Sequence, residues 1–288
     1  MSNRRGDVLS LIHLRSDGRR PHEIRHMTCS LGALPPTASG GALPSAGCSG
    51  SAMVTLGLTK VLCSVRGPCD ATRRSEELPD RASLEVLVRA APFAPPGDRR
   101  NVNPTTDRRL VEASHLLQRA LSASILLHLF PRSKISVTVM VLADDGGRLE
   151  ASINAATLAL MDAGIPLRDM VCACSAGRWS AGGTDEIIVD LNRKEVQAAT
   201  GGAGGGGGGG GTSDAIYLPV ATMPQRGTIV LGQCESRLSG GEDAFAEVLD
   251  AAVRGCATVM EIMAAAVRER GSLLLRSKTG TARISLAD

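Results

Sequence analysis

Two pairs of adjacent arginines are candidates for binding a negatively charged polymer. Arg99 and Arg100 lie in a loop rich in proline and asparagine, and Arg108 and Arg109 follow at the predicted start of a helix. A guanidinium matches the geometry of a phosphate group, and a helix amino terminus favours anions. Two or three such contacts would bind a nucleic-acid backbone without regard to sequence and with strong salt dependence. A solvated surface patch is the ordinary alternative for any arginine pair.

The composition narrows the range of functions. Arginine supplies 28 of the 32 basic residues, but the net charge of +3 is too small to indicate nucleic-acid binding by itself. Aromatic residues make up 2% of the chain, which argues against an RNA surface built of stacking platforms. The eight cysteines form no C-x-x-C pair and no cluster with metal-ligand spacing. They are expected to be reduced and structural.

Neither a dinucleotide-binding nor a phosphate-loop fingerprint occurs, and the run of eight glycines at 204–211 contains no lysine. We therefore predict no cofactor and no metal. No segment approaches the ~20 apolar residues of a transmembrane helix, and the amino terminus lacks the apolar core of a signal peptide. These features predict a soluble, intracellular protein.

The spacing of apolar residues predicts the helices and strands that position the arginines. Apolar residues recur at helical spacing over residues 107–130, before Pro131, and again over 153–163 and 242–270. The predicted strands are 52–65 (a hairpin), 81–94, 134–143, 170–175, 187–191, 216–223 and 228–233. A group of strands followed by helices occurs twice along the chain, which indicates an α+β domain made of two similar halves.

Segments of low complexity mark the predicted boundaries. The division is a leader at 1–14, a first half at 15–143 with a loop insertion at 34–49, a second half at 144–270 with a disordered glycine-rich insertion at 197–213, and a loose tail at 271–288. The helix at 242–270 is expected to close the core of the second half with Ala251, Val259 and Met263.

A series of short motifs then appears in order along the chain. They are residues 17–25 (Asp-Gly-Arg-Arg-Pro-His-Glu-Ile-Arg), 50–52 (Gly-Ser-Ala), 59–62 (Thr-Lys-Val-Leu), 67–68 (Gly-Pro), 130–133 (Phe-Pro-Arg-Ser), 145–147 (Asp-Gly-Gly), 154–159 (Asn-Ala-Ala-Thr-Leu-Ala), 162–169 (Asp-Ala-Gly-Ile-Pro-Leu-Arg-Asp) and 172–177 (Cys-Ala-Cys-Ser-Ala-Gly). Together they resemble the ribonuclease PH family, specifically its RNA exosome ring subunits. The resemblance spans about residues 15–270 and implies the α+β ribonuclease PH fold, with two sheet-and-helix halves packed as one domain.

This resemblance also implies an assembly. Six such domains would surround a pore through which single-stranded RNA is threaded for 3′–5′ processing and degradation, including rRNA processing and mRNA decay. The expected partners are other ribonuclease PH-type ring subunits, cap RNA-binding subunits and a separate hydrolytic nuclease, in the nucleus, nucleolus and cytoplasm. In relatives, the arginines matching Arg108 and Arg109 grip RNA near the site, and the loop matching Arg99 and Arg100 faces the pore.

Active relatives hold phosphate on a turn that leads into a helix and carries an arginine. The corresponding turn here is Gly146, Gly147 and Arg148, which we treat as the remnant of a phosphate loop. In strict register Leu149 takes the place of the arginine, and leucine cannot bind phosphate. Arg148 would reach the site from one position earlier and with a different direction.

The relatives also carry two carboxylates after the last strand of this region. Asp190 matches the first and is a residual catalytic candidate, although a strand-ending structural role is the favoured interpretation. Val196 takes the position of the second, and Glu195 lies one residue away. Of the three catalytic elements, which are the phosphate-binding arginine and the two carboxylates, the arginine and the second carboxylate are therefore expected to be missing.

Three hypotheses follow. The preferred one is a catalytically silent exosome ring subunit that lines an RNA channel. The alternative is an active phosphate-dependent 3′–5′ exoribonuclease that releases nucleoside diphosphates, with Arg148, Asp190 and Glu195 as shifted replacements and with Mg²⁺ and inorganic phosphate. A third class, an unrelated metabolic enzyme on a similar fold, is disfavoured by the lack of a cofactor fingerprint.

Overall fold

The computed structural model describes residues 14–15, 17–34, 48–70, 77–94, 105–181, 184–199, 216–234 and 241–284. The strands are β1 (Met27–Leu31), β2 (Gly50–Leu56), β3 (Thr59–Asp70), β4 (Ser83–Ala90), β5 (Ser133–Ala143), β6 (Cys172–Ala181), β7 (Thr184–Val189), β8 (Ile216–Met223) and β9 (Thr228–Gly232). The α-helices are α1 (Arg108–Ser124), α2 (Arg148–Asp162), α3 (Arg193–Ala199) and α4 (Gly241–Ile284).

The first sheet has five strands in the order β1-β2-β3-β5-β4. β2 and β3 form the predicted hairpin, and Gly57 in its turn has a φ of +59°, which favours glycine. β4 and β5 run parallel, so the chain crosses between them through α1. Alternate residues of β5 point to one face, where Ile135, Val137, Val139 and Val141 are buried. The helices α1 and α2 pack against this sheet.

Helix α2 forms the buried centre of the domain. Every residue at positions 150–160 is buried, because α2 contacts β2 and β3 of one sheet and β6 of the other. Gly50 permits the close approach, since a Cβ atom there would lie 2.3 Å from the backbone nitrogen of Ala163. The two sheet-and-helix halves therefore share one core, which confirms the predicted α+β fold.

The second sheet has four antiparallel strands in the order β7-β6-β8-β9. Helix α4 packs on β6 and β8 and buries Ala251, Val259 and Met263. At Gly255 a Cβ atom would lie 2.7 Å from the sulfur of Cys174, so glycine lets the helix approach the sheet. The prediction that this helix closes the core of the second half is confirmed.

Several cysteines are part of this apolar interior. Cys63, Cys172, Cys174 and Cys256 are buried and free of disulfide bonds. Burial raises the pKa of each thiol, that of Cys256 to about 11. These side chains act as small hydrophobic residues, as predicted.

The carboxy-terminal region differs from the prediction. Helix α4 continues to Ile284, so a loose tail starting at 271 is wrong for residues 271–284. A glycine inside a helix costs only about 1 kcal/mol relative to alanine. The leucines at 273–275 favour helix, so α4 continues past Gly271. Helix α3 likewise extends into the start of the insertion predicted at 197–213. The remainder of that insertion, with the glycine run, lies outside the described residues, as do nearly all of the leader and of the loop insertion.

Element ends differ elsewhere. Helix α1 ends at Ser124 rather than near residue 130, and a single 3-10 turn follows at Leu127–Leu129. Helix α2 starts five residues earlier than predicted, because its polar first turn conceals the apolar pattern. The short elements β1 and α3 were not predicted. Within the described part of the chain, every helix is too short or too polar to span a bilayer.

Candidate functional site

A cleft of about 820 Å³ lies between the start of α1, the start of α2, α3 and β8. The charged residues of its wall are Asp107, Arg108, Arg109, Glu112, Asp144, Arg148, Glu150 and Arg193. The predicted arginine pair and the predicted phosphate-loop remnant thus face one cavity, although about forty residues separate them in sequence. The cleft is the natural candidate for a functional site because it concentrates charged groups in a concave surface.

The start of α1 places one arginine pair at this cleft. The Asp107 side chain caps the helix by accepting a hydrogen bond from the backbone N–H of Arg109, with a nitrogen–oxygen distance of 2.9 Å. Arg108 and Arg109 are exposed and belong to the cleft wall. The predicted helix start is confirmed, and RNA binding by this pair stays a prediction. The other pair, Arg99 and Arg100, lies outside the described residues.

The glycine turn before α2 is held by the first sheet. Gly146 and Gly147 have φ values of +90° and +69°, which an L side chain rarely adopts. A Cβ atom on Gly146 would lie 2.5 Å from the backbone nitrogen of Arg193. The Thr59 hydroxyl donates to the Gly146 carbonyl at 2.7 Å and accepts from the Asp145 N–H at 3.0 Å. The turn therefore needs both glycines and has a fixed position.

Arg148 and Leu149 both line the cleft. The Arg148 guanidinium lies 3.7 Å from a carboxylate oxygen of Asp144, and its side chain is 32% exposed. Arg148 thus presents a positive charge to the cleft from one position before the expected arginine. Leu149 contributes an apolar surface to the wall.

Asp190 is buried in an ion pair with Arg25. Its side chain is 3% exposed, and its carboxylate accepts three hydrogen bonds from Arg25 at 2.7–2.9 Å, one from the backbone N–H and two from the guanidinium. The φ of Asp190 is +55°, so the residue follows β7 in the left-handed conformation that aspartate tolerates. Asp190 is not among the residues of the cleft wall. This geometry supports the structural interpretation over the catalytic one.

Arg25 connects Asp190 to the glycine turn. Its guanidinium also donates to the carbonyls of Asp145 and Gly146 at 3.2–3.3 Å. Burial by itself would lower the pKa of Arg25, but the hydrogen bond and the charge of Asp190 outweigh it, so the pKa is raised. Arg25 therefore positions the turn without being part of the cleft wall.

Glu195 is also engaged inside the domain. It forms a reciprocal capping box with Asn192 at the start of α3, with nitrogen–oxygen distances of 2.8 and 2.9 Å. Its carboxylate also forms a buried ion pair with the Arg15 guanidinium. The neighbouring Val196 lines the cleft instead. Glu195 therefore does not present its carboxylate to the cleft as a shifted acid.

The active alternative implies a magnesium ion between these carboxylates, and the residues do not fit one. The Asp190 oxygens accept from Arg25, and the Glu195 oxygens face Arg15 and the Asn192 N–H. A cation at either carboxylate would displace a buried arginine. In the described residues, no three His, Cys, Asp or Glu side chains form a group that could hold a metal.

Two further residues of the cleft were not predicted from sequence. Arg193 opens α3 and lines the cleft, and Glu150 is a buried residue of the same wall. The only sequence signal for Glu150 is an acid in the first turn of a helix, which usually indicates a surface position. The signal for Arg193 is its place just after the strand-end Asp190.

Glu150 predicts a pH dependence of stability. Burial raises the pKa of its carboxyl above the ordinary 4.5, so the folded state binds this proton more tightly than the unfolded state. Its contribution to stability is full below pH 4.5 and is lost as the pH rises through the folded-state pKa. We expect Glu150→Gln to raise the urea midpoint at pH 7 and the gain to shrink towards pH 4.5. A gain that is equal at all pH values would contradict this.

The comparisons with known proteins agree with this fold. Residues 23–166 match the model of the 3′ exoribonuclease family (RNase PH), domain 1. The exosome complex component Rrp41 of Thermococcus kodakarensis is 36% identical over 256 residues, which is 89% of each chain. The exosome complex component RRP41 of Mus musculus is 38% identical over 283 residues, which is 98% of each chain.

Two solved structures share the fold. Rice (Oryza sativa) Rrp46 superposes with a TM-score of 0.67 at 24% identity and covers 88% of this chain and 100% of its own. The Archaeoglobus fulgidus exosome with RNA bound to the active site gives a TM-score of 0.65 at 22% identity, over 89% and 96% of the two chains. The family match and the relatives above confirm the predicted family, and these two structures show the same fold. The chain belongs to the 3′ exoribonuclease family of ribonuclease PH type.

Proposed function

We propose that this chain is an exosome ring subunit that holds single-stranded RNA in its cleft without cutting it. The observation that carries the proposal is a cleft with four arginines in its wall, beside two carboxylates that are bound internally by Arg25 and Arg15. Binding and cutting need different groups, and the cleft retains those for binding.

The binding part rests on charge and position. Arg108 and Arg109 are exposed at a helix amino terminus, where backbone N–H groups add to their positive charge. Arg148 and Arg193 approach from other sides of the cleft. Such a set neutralises backbone phosphates whatever the base sequence. The low aromatic content of 2% fits a strand held by its phosphates more than by base stacking.

The loss of catalysis rests on the groups that phosphorolysis requires. Phosphate must be held in line with the scissile bond, its charge must be neutralised, and the leaving oxygen needs an acid or a metal. Leu149 and Val196 line the cleft with apolar surface. The carboxylates of Asp190 and Glu195 are buried, and each forms an ion pair with an arginine. None of these four side chains is available to supply the chemistry.

Assembly into a ring is proposed from the relatives. They are named exosome complex components, and this chain aligns with 89–98% of their length. We propose that its partners are other ribonuclease PH-type ring subunits, RNA-binding cap subunits and a separate hydrolytic nuclease. On the same basis we propose that it acts in RNA processing and decay in the nucleus, nucleolus and cytoplasm.

A phosphorolysis assay tests the silent state. The full chain, alone and assembled with its ring neighbours, is incubated with single-stranded RNA, Mg²⁺ and inorganic phosphate. We expect no nucleoside diphosphate from the chain alone, and none from the assembly beyond what its ring neighbours release without it. Diphosphate release by the chain that Arg148→Ala abolishes would establish the active exoribonuclease instead.

A further inference from the structure

Glu150 is the buried acid of the cleft. It occupies the third position of α2 and is 2% exposed, yet it lines the cavity. The Tyr217 hydroxyl lies 3.1 Å from Oε1, and the acid stands in the first turn of α2. The positive end of α2 therefore already holds an anion that belongs to the chain itself.

One oxygen of this carboxylate lacks a partner. In the part of the chain that the structure describes, no hydrogen-bond donor reaches Glu150 Oε2, although the atom is buried. A buried acceptor without a donor destabilises the folded state, and more so when it is charged. A donor supplied by a ligand in the cleft would remove that cost.

The charges around Oε2 restrict what this ligand is. A free oxyanion entering the amino-terminal end of α2 would meet the Glu150 carboxylate and be repelled by it. An uncharged donor such as a hydroxyl or amino group would be attracted. Because four arginines line the same cleft as Glu150, a molecule that carries both phosphates and such a donor fits the charges of its wall.

We propose that Glu150 Oε2 is a specificity-determining subsite that accepts a hydrogen bond from an uncharged donor of an RNA end, a ribose hydroxyl or a base amino group, and that excludes a terminal phosphate. This rests on the proposed binding of RNA in the cleft. Burial raises the pKa of this carboxyl, and a donor at Oε2 offsets that effect by stabilising the ionised form.

The test compares RNA ends on the full chain. Fluorescence anisotropy measures the Kd of a 5′-labelled oligouridylate that ends in a ribose with free hydroxyls, in a 3′-phosphate or in a 2′,3′-dideoxyribose. We expect the hydroxyl end to bind roughly tenfold tighter than the phosphate end, the range of one hydrogen bond to a charged group. A penalty for the dideoxy end assigns the donor to ribose. If the dideoxy end binds as tightly as the hydroxyl end, and oligocytidylate binds with a different affinity from oligouridylate, the donor is assigned to the base.

The decisive variant is Glu150→Gln, which keeps the shape and replaces the free acceptor by an amide donor. We expect its preference for the hydroxyl over the phosphate end to fall below roughly threefold. Glu112→Gln is the matched control, because Glu112 is an exposed acid of the same wall and should leave the preference unchanged. An undiminished preference in Glu150→Gln overturns the proposal, as does equal binding of both ends by the natural chain.

The variant Arg108→Ala/Arg109→Ala separates this failure from a failure of the proposed function. If it weakens all three oligonucleotides while Glu150→Gln changes nothing, RNA binds in the cleft but Glu150 does not select its end. If none of the variants changes binding, RNA lies elsewhere, and both proposals fail.

Discussion

Substituting alanine for Asp190 should lower the free energy of unfolding by about 3–5 kcal/mol, because it leaves a buried arginine without its counter-charge. Arg25 donates three hydrogen bonds of 2.9 Å or less to this carboxylate, and its side chain is 5% exposed. Alanine is also disfavoured at a φ of +55°, where left-handed backbone costs roughly 1–2 kcal/mol. Urea unfolding followed by circular dichroism measures the loss.

Two further variants separate the causes. Asp190→Asn keeps a side chain that tolerates the left-handed backbone and removes only the charge, so its loss should be smaller than that of alanine. Glu85→Gln breaks the more exposed ion pair between Lys134 and Glu85, whose atoms lie 3.0 Å apart. Exposed pairs contribute about 0–1 kcal/mol. If both Asp190 variants cost no more than Glu85→Gln, the buried pair does not support the fold.

This pair also affects how activity data should be interpreted. Arg25 holds the glycine turn through the Asp145 and Gly146 carbonyls, so losing Asp190 would disturb the cleft as well as the fold. A loss of activity in Asp190→Ala would therefore not demonstrate a catalytic acid. Arg148, which is 32% exposed and faces the cleft, is the cleaner residue to replace.

Replacing Arg108 and Arg109 together by alanine should weaken RNA binding by roughly tenfold at low ionic strength, with the same loss for every base sequence. Each phosphate contact to a single strand contributes about 0.7 to the slope of log K against log salt. The slope should therefore flatten by about 1.4 if each arginine neutralises one phosphate. Anisotropy titrations over a range of salt concentrations measure both quantities.

The matched control removes two arginines from elsewhere. Arg81 and Arg119 are exposed and are not part of the cleft wall, so Arg81→Ala/Arg119→Ala changes the net charge equally. We expect it to leave the salt slope nearly unchanged. An equal effect of the two double variants would mean that overall charge, rather than the cleft, holds the RNA. No effect of either would assign Arg108 and Arg109 an architectural role.

Local sequence patterns were sufficient to predict the strands and helices that have one buried face. The alternation in β2, β3 and β5 predicted strands, and the helical spacing after Asp107 predicted α1 with its cap. The arginine pair at that cap was found for the same reason, because a helix start is readable from a few neighbouring residues. The motifs at 17–25 and 145–177 identified the family.

The start of α2 and the burial of Glu150 could not be predicted from local patterns, because both depend on tertiary packing. Helix α2 is buried between two sheets, so it has no polar face to mark it, and its first turn appeared as loop. Glu150 in that turn would be a surface acid on an isolated helix. Only the second sheet, which brings Tyr217 to it, makes it a buried one.

The amino-acid sequence by itself determined the family, the two-half α+β fold and the arginines at the start of α1, because these depend on residues close together in the chain. The tertiary structure decided the roles of the carboxylates. Asp190 meets Arg25 from 165 positions away, and Glu195 meets Arg15 from 180 positions away. An acid becomes an ion-pair partner or a free acceptor according to what folding places beside it, and no local pattern records that neighbour.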